Sequence, residues 1–327
     1  MRLIATLLVR DEADVVAATV EHHLAQGVDL VIATDNGSVD GTREILQVYA
    51  DAGVVEVIDE PDHTYRQAEW VTRMARRAAE LGADWVVNMD ADEFWVPVER
   101  SRTLRDVLGQ VPAEYATVLA RRSDLVGVRG TWGPWPRRLR WRNLATVSEK
   151  GTPLAPKICH RATGDVGVAQ GNHAVTGVEG AQLPTEPIDV LHVPLRSWPQ
   201  FRRKIDNGGS SYAANSELTP DVGWHWRADY ERLLAGELER VFHSREPSPS
   251  DLVSGVRAGT LVRDSWLLRR LQRLHRTAVR PDLLWAVLVG EPGVDQPGVD
   301  QPVVDEKGVD EKGAGEPADA PSTDSES

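Results

Sequence analysis

A short apolar run in the first third of the chain ends in a cluster of acids. Residues 84–94 read Asp-Trp-Val-Val-Asn-Met-Asp-Ala-Asp-Glu-Phe, which places Asp90, Asp92 and Glu93 within four residues. Carboxylates at the end of a buried strand are costly unless a positive charge meets them. In extended backbone Asp90 and Asp92 project to the same side, and paired carboxylate oxygens suit Mg²⁺ or Mn²⁺. The pattern predicts a divalent-metal site on Asp90 and Asp92, with a solvated turn as the alternative.

The segments before this cluster alternate between strands and helices. Strands are predicted at residues 2–9, 29–34 and 54–58, helices at 13–25, 42–52 and 66–81, and a fourth strand runs into the acidic cluster. Such alternation implies a parallel sheet with right-handed crossovers. Ligands of these sheets bind at the carboxyl ends of the strands. Polar clusters at residues 10–12, 35–38 and 90–92 fall at those ends, so we expect a site there.

Two common phosphate-binding loops are absent from the sequence. There is no G-x-G-x-x-G after the first strand and no G-x-x-x-x-G-K-[ST]. An ordinary dinucleotide enzyme or a P-loop NTPase is therefore disfavoured. A metal would have to neutralise the charge of a bound phosphate instead.

The composition is that of a folded protein with an acidic carboxyl-terminal tail. The chain has 327 residues, 41% of them hydrophobic, which is enough for one large domain or two modest ones. The formal net charge of −13 argues against nucleic acid as the main partner. Residues 290–327 contain eleven Asp or Glu and two Lys, a net charge of −9, so the remainder carries about −4. This proline-rich repeat is expected to be disordered.

The sequence carries no sign of export or of membrane spanning. Cys159 is the single cysteine, so no internal disulfide can form, and we expect a buried, inert thiol. No signal peptide precedes the first strand, and no apolar run approaches the ~20 residues that span a bilayer. We expect a cytoplasmic protein. Residues 261–288 alternate apolar side chains with Arg, which predicts docking on the parent domain or, alternatively, peripheral contact with an anionic membrane.

Beyond residue 98 the alternation stops, and histidines and basic residues become candidates for chemistry. We expect strands near residues 115–120, 157–161 and 188–192 and helices near 103–108, 198–207 and 227–241. Residues 130–141 interleave Trp with Arg, a pattern that can stack on sugars or hold phosphate. Because large aromatics are mostly buried, we favour a structural loop there.

The first hundred residues resemble family 2 glycosyltransferases of the GT-A fold. That family has a strand ending near Asn-Glu, then Asp-Asp-Gly-Ser-x-Asp-Gly-Thr, then Asp-x-Asp after an apolar strand. The chain has Val-Arg-Asp-Glu at 9–12, Asp-Asn-Gly-Ser-Val-Asp-Gly-Thr at 35–42 and Asp-Ala-Asp-Glu-Phe at 90–94. A branch of the family also carries Gly-Asn-His and His-x-Pro-x-Arg-Ser followed by Lys, which match residues 171–173, 192–197 and Lys204. The resemblance covers about residues 2–215.

The resemblance implies a fold, a domain organisation and a reaction. The implied fold is α/β, a GT-A arrangement with a mainly parallel sheet flanked by helices. Residues 1–215 would form the catalytic domain, with a nucleotide-binding half at 1–100 and an acceptor-binding, metal-completing half at 101–215. A helical region at 216–289 and the tail at 290–327 would follow. The implied reaction moves a sugar from a nucleotide-diphosphate donor to a hydroxyl of a glycan, lipid-linked or small-molecule acceptor, usually with inversion.

The resemblance also implies roles for individual residues. The Mn²⁺ or Mg²⁺ ion would be held by Asp90, Asp92 and His192. The donor would be bound by Arg10, Asp35 and Asn36 at the base and ribose, and by Arg73, Arg196 and Lys204 near the diphosphate. Asp40 is expected to cap the following helix instead of binding the donor.

The base that activates the acceptor is less sharply indicated. His173 is a candidate for this catalytic role, with Glu149, Asp165 and Asp189 as alternatives. If Asp92 holds the metal, Asp92→Asn should abolish turnover and leave the fold intact.

Two other functions fit parts of the pattern. A nucleotidyltransferase of related fold would normally show a glycine-rich loop with Arg and Lys after the first strand, which residues 10–13 lack. A catalytically inactive protein that binds sugar nucleotides or glycans is the second alternative. Retention of Asp90, Asp92, Arg73 and His192 argues against it.

Overall fold

Four adjacent parallel strands form one half of the sheet and carry the predicted alternation of strand and helix. The computed structural model describes residues 1–62, 66–147, 151–214 and 223–291. The first three strands begin and end within one residue of their expected positions. The strands are β1 (Leu3–Val9), β2 (Leu30–Asp35), β3 (Val55–Asp59), β4 (Trp85–Asp90), β5 (Glu93–Pro97), β6 (Tyr115–Val126), β7 (Trp141–Asn143), β8 (Lys157–Arg161), β9 (Gly167–Val168), β10 (Val175–Thr176), β11 (Ala181–Gln182), β12 (Ile188–His192) and β13 (Leu261–Arg263).

Helices cover both faces of the sheet and its far end. They are α1 (Val16–Ala25), α2 (Thr42–Asp51), α3 (Gln67–Glu80), α4 (Leu104–Leu108), α5 (Trp135–Arg138), α6 (Trp198–Ala214), α7 (Trp224–Leu234), α8 (Leu238–Arg245), α9 (Pro249–Arg257), α10 (Trp266–Leu274) and α11 (Pro281–Val289), with a 3-10 turn at Gln170–Asn172.

The order of the parallel strands brings the polar clusters of the sequence together. β3, β2, β1 and β4 are adjacent and parallel. Val9 lies opposite Asp35 in the register of β1 and β2, and Leu8 lies opposite Asp90 in that of β1 and β4. Parallel strands end at the same edge of a sheet, so the clusters after β1, β2 and β4 meet there, as predicted.

Antiparallel strands extend the sheet beyond β4, where the alternation stops. The order continues from β4 through β8, β6 and β7 to β13, and each of these pairs is antiparallel. β12 pairs with β5 in antiparallel and with β6 in parallel orientation. This register places His192 opposite both Glu93 and Asp124. The α/β fold class is confirmed, with one parallel and one antiparallel half in the sheet.

Alternate side chains of β1 face two different helical layers. Leu3, Ala5 and Leu7 belong to the main core, to which α1, α10 and α11 also contribute. Ile4 faces the other way and packs with Met74 of α3. Because both faces of the sheet are covered, β1 is a continuous apolar run instead of an alternating one.

A third apolar cluster anchors α6, the helix that carries Lys204. Phe201 and Ile205 of α6 pack with Leu238 and Phe242 of α8. This packing fixes the position from which α6 reaches the acidic edge of the sheet.

Two sequence-based expectations for the carboxyl-terminal third are wrong in detail. The single helix expected at 227–241 is two helices, α7 and α8, separated by a turn in which Gly236 has φ 73°. The stretch at 261–288 begins with strand β13, which pairs with β7 before α10 starts. Leu267 and Leu271 of α10 are buried in the main core, so the helix docks on the parent domain. Peripheral membrane contact stays a prediction.

Several expectations concern residues or properties that the structure does not test. The tail expected at 290–327 lies outside the described residues from 292 onward. The expected boundaries at 215 and 289 and the cytoplasmic location stay predictions. Across the part of the chain that is described, no helix combines the length and apolar character needed to cross a membrane.

Candidate functional site

The backbone at the carboxyl edge of the sheet adopts conformations that non-glycine residues rarely take. Within the described ranges, Asp11 (φ 56°) and Asn172 (φ 61°) are the non-glycine residues with positive φ. Asp11 follows β1, and its carboxylate accepts hydrogen bonds from the backbone N–H of Val39 at 2.8 Å and from the amide of Asn207 at 2.5 Å. Such backbone strain persists only where surrounding contacts hold it, and it often marks functional sites.

Asp90 and Asp92 do not project side by side from an extended strand. Asp90 ends β4, Glu93 starts β5, and Ala91 and Asp92 form the turn between them. The two aspartates therefore face different neighbours. The expectation that both carboxylates point to the same side of an extended backbone is corrected by this turn.

Asp90 lies in a cluster with a buried lysine. The ammonium of Lys157 is 2.6 Å from Asp90 Oδ2 and 2.9 Å from Glu93 Oε1, and its side chain is 1% exposed. Asn172 donates to Asp90 Oδ1 at 3.2 Å, and Gln67 donates to the same oxygen at 3.4 Å. Burial alone would lower the pKa of Lys157, but Asp90 and Glu93 raise it. The cluster thus holds a permanent positive charge beside Asp90.

Asp92 faces three positively charged groups. Its Oδ2 contacts the ammonium of Lys204 and lies 3.4 Å from His192 Nε2 and 3.6 Å from Arg196 Nη1. Burial raises the pKa of Asp92, but Lys204, His192 and Arg196 together hold it well below its usual range. The carboxylate is therefore ionised although it is buried.

His192 bridges two carboxylates. Its Nδ1 is 2.7 Å from Asp124 Oδ1, while its Nε2 faces Asp92. Burial by itself lowers the pKa of His192, but the charges of Asp92 and Asp124 raise it to about 9. The sequence indicated His192, and the structure brings it to Asp92 through the pairing of β12 with β5 and to Asp124 through the pairing of β12 with β6.

Arg196 is buried among acids. Its guanidinium contacts Glu12 and Asp14, with Nε 2.8 Å from Asp14 Oδ2, and its Nη1 donates to the carbonyl of Val193 at 3.3 Å. The side chain is 0% exposed, so it has no free face for a phosphate in this arrangement. Burial raises the pKa of Glu12 to about 7, although Arg196 and Lys204 oppose the shift. The geometry gives Arg196 a positioning role between the loop after β1 and Asp92.

Two residues of the predicted base and ribose pocket have polar atoms without protein partners. Asp35 is buried at the end of β2, and its Oδ2 accepts the backbone N–H of Ser38 at 3.1 Å. Its Oδ1 and the Nε of Arg10 are buried without a hydrogen-bond partner among the described residues. Burial raises the pKa of Asp35. Unpaired buried polar atoms are costly, so both atoms are suited to receive a ligand.

Asn36 and Arg73 contact the loop that follows β3. The amide of Asn36 donates to the carbonyls of Glu60 at 3.0 Å and Asp62 at 2.5 Å. Arg73, on α3, donates to Glu60 Oε2 at 3.0 Å and is about half exposed. Asn36 and Arg73 therefore both contact Glu60, directly after the end of β3.

Asp40 has the structural role that the sequence indicated. Its Oδ1 accepts the backbone N–H of Thr42 at 3.1 Å, at the start of α2, and its Oδ2 accepts the N–H of Ala13 at 3.1 Å. The side chain therefore ties the first turn of α2 to the loop after β1.

His173 lies beside the Asp90 cluster. Its Nδ1 is 2.8 Å from the carbonyl of Pro156, which can only accept, so Nδ1 carries the proton and Nε2 keeps a lone pair. Burial lowers the pKa of His173, and the nearby Lys157 lowers it further. The neighbouring Asn172 binds Asp90, and the N–H of Gly171 donates to Gln67 at 3.0 Å. Gly171 and Asn172 thus link the segment that carries His173 to Gln67 and to Asp90.

The alternative bases are less well placed. Asp189 pairs with Arg100 at 3.1 Å and with Arg142 at 3.2 Å. Asp165 is exposed in the turn before β9. Glu149 lies outside the described residues. Neither Asp165 nor Asp189 contacts Asp90 or Asp92 within the described part of the chain.

Sequence reasoning missed Lys157, Asp14 and Asp124, and it named Glu12 only as part of the polar cluster at residues 10–12. A lysine opening an otherwise apolar strand, at Lys-Ile-Cys-His, was the available signal for Lys157. The acids gave no such signal, because their partners come from distant elements.

Within the described residues, Asp92 and His192 bring an oxygen and a nitrogen atom, the atom types that bind divalent metals, close together. No group of three or more His, Cys, Asp and Glu side chains in these ranges is arranged to hold one. Asp92 Oδ2 and His192 Nε2 are 3.4 Å apart, close to the separation of about 3 Å between adjacent ligands of an octahedral ion. Mg²⁺ commonly binds one or two carboxylates together with substrate phosphates. The donor set fits a metal shared with a substrate, provided that Lys204 leaves Asp92 and that His192 gives up the Nε2 proton that its raised pKa retains.

The first part of the chain is similar to a family of glycosyltransferases. Residues 4–126 match glycosyltransferase family 92. No curated protein matches the chain. The resemblance to glycosyltransferases is thus supported, while the assignment to family 2 stays a prediction.

Similar solved structures are distant ones. TarS of S. aureus (1–349) in complex with UDP has a TM-score of 0.38 and 14% identity, covering 88% of this chain and 87% of that one. Its complex with UDP-GlcNAc has a TM-score of 0.37 and 12% identity, covering 89% of each chain. Glucosyl-3-phosphoglycerate synthase from Mycobacterium tuberculosis has a TM-score of 0.27 and 19% identity, covering 37% of this chain and 44% of that one.

Proposed function

We propose that this chain is a glycosyltransferase that moves a sugar from a nucleotide-diphosphate donor to an acceptor hydroxyl. The observation that carries the proposal is Asp92, an ionised, buried carboxylate held between Lys204 and His192 at the carboxyl edge of parallel strands. The match of residues 4–126 to a glycosyltransferase family supports the same reaction class.

The nucleotide would bind over the ends of β1 and β2. The unpaired Oδ1 of Asp35 can accept an N–H of the base, and the Arg10 guanidinium can face the nucleotide from the end of β1. Asn36 and Arg73 would act on the start of the segment after β3, through their contacts with Glu60. A shaping role for Asn36 is part of this proposal, and its expected contact with the base stays a prediction.

Lys204 would contact the diphosphate. Its side chain is 23% exposed, whereas that of Arg196 is fully buried, so Lys204 is the cation able to turn toward a ligand. A flexible ammonium is a common partner of phosphate oxygens. Arg196 would keep Glu12, Asp14 and Asp92 in place.

We propose Asp92 and His192 as ligands of Mn²⁺ or Mg²⁺, with the remaining positions left to phosphate oxygens and water. Bound there, the ion would supply positive charge to the departing diphosphate. Asp90 would stay with Lys157, which adds a fixed positive charge at the same edge.

His173 would act as the catalytic base. Its Nε2 lone pair can take the proton of the acceptor hydroxyl as the acceptor oxygen bonds to the anomeric carbon. The bond between that carbon and the phosphate oxygen breaks, and Lys204 meets the charge that develops on the leaving group. In-line attack of this kind inverts the anomeric configuration.

The test is nucleotide-sugar hydrolysis and binding. UDP, GDP and dTDP sugars are screened by thermal shift with and without Mn²⁺, and hydrolysis of any stabilising donor is followed by release of the nucleoside diphosphate. We expect one donor to stabilise the protein more strongly with Mn²⁺ and to be hydrolysed. Binding without hydrolysis under all conditions would favour a silent binder, and absence of binding by every donor would refute the proposal.

A further inference from the structure

A cleft of about 430 Å³ lies outside the cluster around Asp90 and Asp92. It is formed by α5 and the loops that join it to β6 and β7. Two tryptophans and three arginines line it: Trp132, Trp141, Arg137, Arg138 and Arg140. The sequence favoured a purely structural loop here, which holds for Trp135, buried against Phe94 with ring centroids 5.7 Å apart.

Trp132 is not part of any core. Its side chain is 89% exposed, the highest value of any large hydrophobic residue in the described ranges. An exposed indole leaves a large apolar ring in water, and such rings commonly bind a flat ligand face. Trp141 lines the same cleft and is half-buried, so two aromatic surfaces face one space.

The three arginines differ in the contacts that they make within the described residues. Arg138 contacts Glu246 and donates to the carbonyls of Leu195 at 2.5 Å and Arg196 at 2.8 Å. No hydrogen bond or ion pair from the guanidinium of Arg137 or Arg140 occurs within residues 1–62, 66–147, 151–214 and 223–291. In a chain with a net charge of −13, two unpaired arginines at one cleft provide a local site for an anion.

The cleft is joined to the proposed donor site through α5. Arg138 binds the carbonyls of the segment that carries Arg196, and Arg196 lies 3.6 Å from Asp92. The indole N–H of Trp135 donates to the carbonyl of Asp14 at 3.0 Å, and Asp14 pairs with Arg196. A ligand in the cleft would therefore lie on an element fixed directly to the network around Asp92.

We infer that this cleft is the acceptor subsite and that it takes an anionic carbohydrate, a sugar carrying a phosphate or carboxylate group. Trp132 stacks on the sugar ring, and Arg137 and Arg140 hold the anionic group. That the bound ligand is the acceptor rests on the proposed glycosyl transfer. That the cleft binds an anionic carbohydrate does not depend on it.

The test measures binding by isothermal titration calorimetry on the full chain, with glucose 6-phosphate, glucose and inorganic phosphate as probes. We expect the parent to bind glucose 6-phosphate more tightly than either other probe. Arg137→Gln with Arg140→Gln should weaken that binding by about tenfold or more, because two charge-assisted contacts are lost. Trp132→Ala should reduce the affinity for glucose 6-phosphate to that for inorganic phosphate.

A matched control removes the same charge elsewhere. Arg269→Gln with Arg273→Gln changes two arginines that line a separate cleft on α10. This variant should bind glucose 6-phosphate like the parent. Three outcomes would each overturn the inference. All variants bind glucose 6-phosphate with equal affinity, the parent binds inorganic phosphate as tightly as glucose 6-phosphate, or the parent binds none of the probes.

Nucleotide binding, measured on the same samples, separates this inference from the proposed function. Loss of nucleotide affinity in the Arg137 and Arg140 variant would assign the cleft to the donor and overturn the acceptor subsite. If the parent binds glucose 6-phosphate in the cleft but no nucleotide or nucleotide sugar, the proposed function fails and the anionic-sugar site stands.

Discussion

Lys204, His192 and Arg196 all lie close to the carboxylate of Asp92. Asp92→Asn leaves Lys204 and His192 without their shared counter-charge, and a neutral amide oxygen is a weaker ligand for a divalent metal than a carboxylate. We expect turnover of the donor to fall by about 10²–10³. The protein should still fold, with a free energy of unfolding lower by about 3 kcal/mol. Steady-state kinetics at saturating Mn²⁺ and urea denaturation measure the two effects.

Asp189→Asn is the matched control for that variant. Asp189 also pairs with two cations, Arg100 and Arg142, but it has no contact with the residues around Asp92. The Asp189→Asn variant should be less stable than the parent and should turn over the donor at the same rate. Equal turnover of Asp92→Asn and the parent would refute the metal and charge assignment.

Lys204 would compete with the proposed metal for Asp92. Its ammonium occupies Asp92 Oδ2, the oxygen that also faces His192, so a metal bound there must displace it. Lys204→Met removes that competitor. We expect Mn²⁺ to bind about tenfold more tightly, since one charge-assisted contact need not be broken, while turnover falls because the diphosphate loses its ammonium partner.

Titration of free Mn²⁺ by electron paramagnetic resonance measures this affinity. Arg202→Met, an exposed change on the same helix, serves as the control and should leave Mn²⁺ affinity unchanged. Unchanged or weaker Mn²⁺ binding by Lys204→Met would place the metal away from Asp92.

At the scale of elements, the position of α6 depends on its close approach to α7. A Cβ on Gly208 would come within 2.5 Å of the ring of Trp226, and one on Gly209 would overlap Tyr230. Gly209→Ala adds helix propensity of about 1 kcal/mol but forces α6 and α7 apart. Because α6 carries Lys204, we expect both a lower melting temperature and turnover reduced by about tenfold.

Ser210→Ala provides the comparison at the next position of α6, where the side chain is exposed. It should match the parent in thermal melting and in turnover. If Gly209→Ala is more stable than the parent and equally active, the contact between α6 and α7 does not position Lys204.

At the scale of the whole molecule, buried histidines set the acid limit of stability. Burial lowers the pKa of His23 and of His160 to about 4 and that of His22 well below its ordinary value of about 6.5. The unfolded chain therefore binds more protons than the folded one between about pH 6.5 and pH 4. Stability from these groups is fully present above pH 6.5 and is lost as the pH falls toward 4.

His192 acts in the opposite direction. In the folded protein the pKa of His192 is about 9, above the ordinary histidine value of about 6.5. Its contribution to the free energy of unfolding is therefore fully present below about pH 6.5 and is lost as the pH rises through 9. The raised pKa of Glu12, about 7, partly offsets the acid loss. We expect the free energy of unfolding to be greatest near pH 6.5.

Urea denaturation between pH 4.5 and pH 9 measures this profile, with His160→Gln as the informative variant. Removing one buried histidine should lower the acid slope by up to about 1.4 kcal/mol per pH unit, the value for one proton. An unchanged slope in this variant would show that His160 does not contribute to the acid limit.

Local pattern predicted strands β1 to β4 and the three helices between them, but not strand β5. β1, β2 and β4 are buried along nearly all of their length, so their apolar runs are continuous, and α2 and α3 are amphipathic. Because parallel strands end at one edge, the sequence also brought Asp35, Asp90 and Asp92 to the same region. The helix at 227–241 failed because the period of its apolar residues continues across Gly236, where the backbone turns.

Which cation meets which carboxylate was decided only by the tertiary structure. Lys157 reaches Asp90 from 67 residues away, and Lys204 reaches Asp92 from 112 residues away. These pairs depend on the register of β8 and β12 and on the docking of α6. No periodic pattern of residues in the sequence indicates any of these features. The sequence shows which residues are charged. It does not show which of them pair, because electrostatic pairing depends on distance in space.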